Sequence, residues 1–252
     1  MMIMKDFNNI KYLEIDNSKK INTIMLPGFL QTYKSYQNLF DTISKYSNIY
    51  FIELPGFGIV ERLSKVVDLD YYVLLLKDFI DTLKIKNVIL LGHSFGGRII
   101  VKYEAIYNQS YRIILLDSAG CTKKSIKIKF KIYKYKILKN IYRRLKLRKH
   151  LEKLKNRSGS SDYQLLDNIS KQTFNNVIGE KTTKYLKKIE TLTLIIWGKL
   201  DKETPFADGV LMNKQIKNST LISLDNLGHF PHLENPILVN NIIDHFYRGA
   251  CI

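Results

Sequence analysis

The hydrophobic residues of this chain follow two alternating patterns. Short apolar runs bounded by turn residues are typical of buried strands, and stretches with an apolar residue every three or four positions are typical of helices. The predicted strands are 23–28, 49–56, 88–92, 111–117, 193–198 and 219–225, with a first pair of strands within 10–24. The predicted helices are 71–83, 98–107, 206–216 and 237–246. This alternation predicts an α/β fold, in which helices cover both faces of a mostly parallel central sheet.

The alternation stops once, between residues 121 and 190, where helix-like segments follow one another without a convincing strand. This segment is predicted to be an insertion after the strand that ends at Asp117. At 252 residues, the chain has a suitable length for one domain with an insertion. The expected organisation is a core formed by residues 1–120 and 191–252, with a helical insertion at 121–190.

The pentapeptide Gly-His-Ser-Phe-Gly at 92–96 lies between a predicted strand and a predicted helix. Ser94 is therefore expected at the carboxyl end of a strand, where reactive groups collect in open α/β sheets. Small residues two positions before and after a serine allow the tight turn that exposes a nucleophilic hydroxyl. A glycine-rich turn with an incidental serine would have the same sequence, so the assignment of Ser94 as a nucleophile depends on its partners.

A serine hydroxyl is a weak nucleophile that needs a base, and a third group must orient this base. His229 lies in a loop just after the predicted strand 219–225, at the position where the chain order of serine, acid and histidine requires a base. His232 could instead form a metal-binding pair with His229, but one such pair in a loop is a weak signal for a metal site. We predict that His229 is the base, and we expect no metal ion.

Three aspartates are candidates for the acid that orients His229. Asp201 follows the predicted strand 193–198, where the acid is expected, and Asp117 ends the preceding strand, from which it could reach the same histidine. Asp225 is close to His229 in sequence but is expected to be a turn residue. We favour Asp201 and keep Asp117 as the alternative.

Acyl transfer also requires two backbone N–H groups that stabilise the oxyanion. One belongs to the residue after the nucleophile, which is Phe95. The other belongs to the loop after the third strand, where Phe29 lies.

Six sequence blocks carry a resemblance to a known family. The chain resembles the α/β-hydrolase superfamily, in particular the carboxylesterase-like serine hydrolases with a small helical cap. The resemblance covers nearly the whole chain and implies that 121–190 forms a cap over the site, but it is poorly specific for substrate. Pro27 departs from the family pattern, which usually has a histidine before the Gly-Phe pair. The blocks are LPGF (26–29), ELPGFG (53–58), GHSFGG (92–97), LLDSAG (115–120), WGKLDKETP (197–205) and GHFPHLENP (228–236).

The predicted function is hydrolysis of a small carboxylic ester or thioester through an acyl-enzyme on Ser94, with a Ser-His-Asp triad and no cofactor. A lyase or C–C bond hydrolase with the same triad is the first alternative, because related folds perform that chemistry. A non-enzymatic protein that binds anionic lipid is the second alternative, and the triad argues against it.

The net charge of +17 is concentrated in one part of the chain. Residues 121–157 contain sixteen Lys and Arg against one acid, Glu152, which gives a local charge of +15. A helical stripe of apolar residues runs through this segment, and lysines surround it. The lysines either form a solvated face of the cap or attract an anionic substrate or membrane surface. The stripe is formed by Ile126, Phe130, Tyr133, Ile137, Ile141 and Leu145.

Other features indicate where the protein acts. No nucleic-acid-binding motif is recognisable, so a nucleic-acid partner is not expected. The N-terminal residues lack the apolar region of a signal peptide, and no apolar run is long enough for a membrane-spanning helix. The two cysteines, Cys121 and Cys251, do not make a disulfide framework in a chain of this length. We therefore expect a cytoplasmic protein.

Overall fold

The computed structural model describes residues 2–8, 10–57, 63–121, 142–144 and 166–250. These residues form an eight-stranded sheet, whose strands are Met2–Phe7 (β1), Ile10–Ile15 (β2), Ile21–Leu26 (β3), Ser47–Ile52 (β4), Val88–His93 (β5), Arg112–Leu116 (β6), Thr193–Gly198 (β7) and Ser219–Leu224 (β8). The spatial order is β1-β2-β4-β3-β5-β6-β7-β8. β2 pairs antiparallel with both β1 and β4, and all other neighbours pair parallel.

Helices connect the strands, as crossovers between parallel strands require. The described helices are Gln37–Ser44 (α1), Leu69–Thr82 (α2), Phe95–Tyr107 (α3), Asn168–Gly179 (α4), Phe206–Gln215 (α5), Pro231–Glu234 (α6) and Pro236–Arg248 (α7), with short 3-10 turns at Tyr33–Tyr36 and Leu186–Lys188. Polar side chains lie at the N-terminal ends of several helices. The carboxylate of Asp68 accepts the Tyr71 N–H before α2, and the Asp167 carboxylate accepts the Ser170 N–H before α4.

Two apolar clusters cover opposite faces of the sheet. Along β5, Val88 and Leu90 belong to one cluster, and Ile89 and Leu91 belong to the other, because successive side chains of a strand point to opposite faces. The first cluster includes side chains of α2, α3 and α5, and the second includes side chains of α1 and α7. The α/β fold class, with a mostly parallel sheet and helices on both faces, is therefore confirmed.

The prediction of a first strand pair within 10–24 is confirmed for β2 at Ile10–Ile15 but is wrong for its partner, because β1 begins at Met2. β1 is an edge strand whose residues Met2, Ile3 and Met4 are exposed, so it lacks the buried pattern that marked the other strands. Helix α1 was not predicted, although Leu39, Phe40 and Ile43 bury one face of its eight residues. Helix α3 begins at Phe95, three residues before the predicted start, directly after Ser94.

Of the predicted insertion at 121–190, the structure describes residues 121, 142–144 and 166–190, which include α4. The apolar stripe and nearly all of the basic segment lie outside the described residues. Within the described part of the chain, every helix is too short or too polar to cross a membrane. The domain boundaries and the cytoplasmic location stay predictions.

Candidate active site

Ser94 lies between the last residue of β5 and the first residue of α3. Its backbone φ of 47° falls in the left-handed region, which residues with a side chain rarely occupy. Neighbouring segments hold it there. The Ser94 N–H donates to the Leu116 carbonyl at 3.0 Å, and the Ala119 N–H donates to the Ser94 carbonyl at 2.9 Å. Backbone strain that the surrounding structure maintains is typical of functional positions.

The two glycines that flank Ser94 are required by close packing. A Cβ atom at Gly96 would lie 2.0 Å from the Leu26 carbonyl oxygen, and a Cβ atom at Gly92 would lie 2.6 Å from the Gly97 nitrogen. Both atoms are backbone atoms that cannot move aside. The Gly-x-Ser-x-Gly pattern therefore reflects how closely the turn at Ser94 approaches β3 and α3.

The structure brings Ser94, His229 and Asp201 together from three separate loops. His229 Nε2 lies 3.1 Å from Ser94 Oγ, and His229 Nδ1 lies 2.7 Å from Asp201 Oδ2. In this arrangement, Nδ1–H donates to the carboxylate and Nε2 accepts the proton of the serine hydroxyl. The histidine can therefore act as a base toward Ser94.

Asp201 is a buried carboxylate with several donors. The backbone N–H groups of Glu203 and Thr204 donate to Oδ1 at 2.7 and 2.9 Å, and the Thr204 hydroxyl donates to Oδ2 at 2.5 Å. Burial alone would raise the pKa of Asp201, but the hydrogen bonds from His229 and Thr204 outweigh burial and hold this pKa below its ordinary value. Asp201 therefore remains ionised beside His229.

Asp117, the alternative acid, lies fully buried just after β6. Its Oδ1 accepts the Gly198 N–H at 2.9 Å, and no hydrogen bond joins it to His229 in the described structure. Burial raises the pKa of Asp117 to about 9, so this side chain is protonated at neutral pH. The exposed Asp225 lies at a turn and pairs with Lys199. Of the three aspartates, the structure therefore places Asp201 against the histidine.

A metal site is the other chemistry considered for these residues. Ligand atoms of Asp117, Asp201 and His229 lie within 4.8 Å of one another. Both ring nitrogens of His229, however, already face Asp201 and Ser94. The His232 ring is buried and stacks on Tyr36, with centroids 4.7 Å apart, and burial lowers its pKa to about 3. Stacking on Tyr36 thus holds the His232 ring, whereas Ser94 and Asp201 occupy the two ring nitrogens of His229.

Hydrogen bonds around Pro27 hold the loop after β3, which carries the predicted oxyanion donor Phe29. The Pro27 carbonyl accepts the Gly96 N–H at 3.0 Å, and this hydrogen bond joins the loop to the turn around Ser94. Gln31, which the sequence analysis missed, accepts the Gly28 N–H at 2.8 Å and the Tyr36 hydroxyl at 2.5 Å through its side-chain oxygen. Such a role has no local sequence signal, because the donors come together only in the fold.

The His93 side chain is fully buried and lies behind the predicted base. Its Nε2–H donates to the backbone carbonyl of His229 at 2.7 Å, which fixes the loop that carries the base. His93 Nδ1 lies 2.7 Å from the Gln31 side-chain oxygen, and burial lowers the pKa of His93 well below its usual value. This contact indicates a structural role for His93.

The two predicted oxyanion donors lie at the mouth of a pocket beside Ser94. The N–H groups of Phe29 and Phe95 donate to no other described residue, so both are available to a ligand. The pocket has a volume of about 370 Å³ and an aromatic wall, in which Phe29 packs against Phe57 and Phe174 at centroid distances of 5.3 and 4.8 Å. Phe174 and Val177 of α4 line it from the predicted insertion.

Comparison with known proteins identifies relatives over nearly the full chain. A model of the alpha/beta hydrolase family matches residues 24–242. The uncharacterised hydrolase YugF of Bacillus subtilis is 25% identical, over 95% of this chain and 94% of its own length. A pimeloyl-[acyl-carrier protein] methyl ester esterase of Wigglesworthia glossinidia brevipalpis is 24% identical, over 94% of this chain and 97% of its own length.

A solved structure of a membrane phospholipase A, described as a bacterial virulence factor, has a similar fold. Its TM-score is 0.76 at 21% identity, over 99% of this chain and 86% of that chain. At this identity, the similarity concerns the arrangement of the sheet and helices alone.

Proposed function

The chain belongs to the alpha/beta hydrolase family, and on this premise we propose that it is a serine hydrolase of carboxylic esters or thioesters. The relatives described as a hydrolase and as a methyl ester esterase support a hydrolase enzyme. The observation that carries the finer proposal is the continuous hydrogen-bond chain from Ser94 Oγ through His229 to Asp201. A nucleophile, a base and an orienting acid in contact are the arrangement that activates a serine hydroxyl.

In the first step, Ser94 Oγ attacks the carbonyl carbon of the ester while His229 Nε2 takes the hydroxyl proton. Asp201 stabilises the imidazolium that forms and keeps the ring in the required orientation. The carbonyl oxygen becomes an oxyanion, which accepts hydrogen bonds from the N–H groups of Phe29 and Phe95. His229 then donates its proton to the leaving alcohol or thiol, and the acyl group stays on Ser94.

In the second step, water enters the pocket and His229 removes a proton from it. The hydroxide attacks the acyl carbon, a second oxyanion forms in the same place, and the serine leaves with the proton that His229 returns. The products are a carboxylic acid and the restored enzyme. The residues named supply every proton transfer of this cycle.

The insertion at 121–190 is proposed to act as a cap over this pocket. The position of α4 supports this role, because Phe174, Val177 and Ile178 of this helix line the pocket beside Ser94. A cap that covers the aromatic wall would favour substrates with an apolar part and would exclude water during the first step. Attraction of an anionic surface by the basic segment stays a hypothesis, because that segment lies outside the described residues.

Labelling of Ser94 tests the proposed function directly. A fluorophosphonate probe should react with the wild-type protein, and Ser94→Ala should abolish labelling. The same substitution should lower the turnover of p-nitrophenyl esters by about 10⁶-fold, because the covalent route is lost. Ser64→Ala, at an exposed serine outside the pocket, is the matched control and should behave as wild type.

Three results would contradict the proposal or redirect it. If purified, folded Ser94→Ala kept about a tenth of the wild-type turnover, Ser94 would not be the nucleophile. If the wild type were labelled at Ser94 but cleaved no ester or thioester, a panel of C–C bond substrates would test the lyase or C–C hydrolase alternative. Absence of labelling together with absence of turnover would favour the non-enzymatic alternative.

A further inference from the structure

Arg98 is a buried cation in the wall of the proposed active-site pocket. It lies on α3 four residues after Ser94, which corresponds to about 6 Å along the helix axis. Residues four apart share a face of a helix, so Arg98 follows Ser94 on the side that faces the pocket. The arginine lines this pocket together with the nucleophile and is only 7% exposed.

The contacts of Arg98 leave part of its guanidinium unused. Nη1 donates to the backbone carbonyls of Val177 at 3.0 Å and Glu180 at 2.5 Å, both at the carboxyl end of α4. Within the part of the chain that the structure describes, these are the only hydrogen bonds of the guanidinium, and no carboxylate lies within 4.0 Å of it. The nearby Glu180 carboxylate is paired with Lys102 and Lys184 instead.

A buried charge without a counter-charge is costly, and a ligand that supplies the counter-charge gains binding energy. Burial lowers the pKa of Arg98 to about 10, so its guanidinium is still protonated at neutral pH. A guanidinium presents donors in a planar fork that matches the two oxygens of a carboxylate. The pocket therefore combines an aromatic wall with one cationic group on which the Glu180 and Asp208 carboxylates act only from beyond ion-pair distance.

We propose that Arg98 forms a carboxylate subsite, and that the physiological substrate is an ester or thioester that also carries a free carboxylate. The proposal rests on the proposed function of Ser94 and narrows its substrate class. The carboxylate would bind to the free side of the guanidinium while Ser94 attacks the ester carbonyl of the same molecule. The separation of about one helical turn suits an acyl chain with a few carbons between the two groups.

Paired substrates of equal shape test this subsite. Monomethyl glutarate carries the carboxylate, and methyl 5-oxohexanoate has a neutral methyl ketone in its place. The ratio of their kcat/KM values, measured by methanol release, should favour the anionic ester in the wild type. Arg98→Met should lower this ratio by about 10- to 100-fold, because a charge-assisted hydrogen-bonded pair is lost. Monomethyl succinate and adipate, with their methyl ketone analogues, would define the best distance.

Two further variants separate substrate selection from support of the fold. Arg112→Met is the matched control, because Arg112 also donates to two backbone carbonyls, those of Phe246 and Gly249, but does not line the pocket. This variant should keep the wild-type ratio. Arg98→Lys keeps the charge without the fork and should keep an intermediate ratio, and it carries the test if Arg98→Met does not fold.

Some outcomes would overturn the subsite without affecting the proposed function. These are a wild type that hydrolyses p-nitrophenyl esters but does not prefer the anionic substrate at any chain length, and an Arg98→Met variant that slows both members of a pair equally. The second result would assign Arg98 only to the attachment of α4. Failure of the wild type to hydrolyse any ester or thioester would instead contradict the proposed function itself.

Discussion

The loops after β6 and β7 both carry a buried aspartate near His229, yet the two carboxyl groups differ in ionisation. The Asp117 carboxyl group, after β6, accepts the Gly198 N–H at Oδ1, and burial, together with the nearby Asp201 carboxylate, raises its pKa to about 9. Asp201, after β7, accepts hydrogen bonds from Glu203, Thr204 and His229, and its pKa is lowered despite burial. The number of donors, and not depth alone, decides which carboxyl group is charged.

This difference explains how two acids can lie side by side at the end of a parallel sheet. Two ionised carboxylates whose oxygens lie within 4.8 Å would repel each other, and a neutral Asp117 avoids that repulsion. A neutral carboxyl group cannot stabilise an imidazolium by charge, so the triad role that we propose belongs to Asp201. Substitutions at Asp201, Asp117 and Thr204 test this division of roles.

Replacement of each acid by its amide should produce very different losses of activity. Asp201→Asn should lower kcat by about 10⁴-fold, because an amide favours the wrong imidazole tautomer and does not stabilise the imidazolium. Asp117→Asn should lower kcat by less than about 10-fold, because the amide resembles the protonated acid that is already there. Steady-state kinetics with a p-nitrophenyl ester measures both, with the exposed Asp225→Asn as control. A reversed order of the two losses would move the acid to the loop after β6.

The pH dependence of stability should reveal the proton on Asp117. Between the unfolded pKa near 3.9 and the folded pKa of about 9, the folded protein holds one proton more than the unfolded chain. The stabilising contribution of the protonated group is therefore complete below about pH 4 and decreases as pH rises toward 9. Asp117→Asn removes this dependence.

Urea unfolding of the wild type and of Asp117→Asn at several pH values provides the measurement. Relative to the variant, the wild type should lose up to about 1.4 kcal/mol of unfolding free energy per pH unit between about pH 5 and 8. Asp225→Asn is the control, because it removes an exposed carboxylate and leaves Asp117 in place, so it should follow the wild type. A constant difference between wild type and Asp117→Asn across this range would mean that Asp117 is ionised in the fold.

The smallest expected effect concerns Thr204, whose hydroxyl donates to Asp201 Oδ2. Thr204→Val removes this donor and should lower kcat by about 5- to 10-fold, which lies within the usual net value of one intramolecular hydrogen bond, because Asp201 keeps its other donors. Thr204→Ser keeps the hydroxyl and should retain most of the activity, and Thr220→Val on β8 serves as the surface control. Equal losses in the Val and Ser variants would show that packing, and not the hydrogen bond, is responsible.

The sequence predicted the fold class because the central strands are buried on both faces. Every residue of β5 and β7 is buried, and such strands appear as continuous apolar runs that can be recognised without a structure. The Gly-x-Ser-x-Gly turn was equally recognisable, since its glycines are required by backbone contacts within 3 Å. The exposed strand β1 lacks a comparable pattern, and neither β1 nor the short helix α1 was predicted.

The acid was only partly predictable from the chain. Asp201 and Asp117 both follow strands of the sheet, and position alone favoured the first without excluding the second. A local signal existed, because Asp201 accepts the N–H groups two and three residues later, a turn for which aspartate is favoured. The ionisation of the two acids depends on donors and burial that the fold brings together.

The sequence by itself determined the alternation of strands and helices and the chain order of Ser94, Asp201 and His229. Only the tertiary structure placed Arg98 against Val177 and next to Ser94 in one pocket. The physical reason lies in the range of the interactions. The spacing of apolar side chains along an element and the residue preferences of turns depend on a few neighbouring residues. The hydrogen bond from Arg98 to Val177, by contrast, joins residues 79 positions apart. The charge of a buried group and the shape of a pocket arise from such distant contacts, which the order of residues does not reveal.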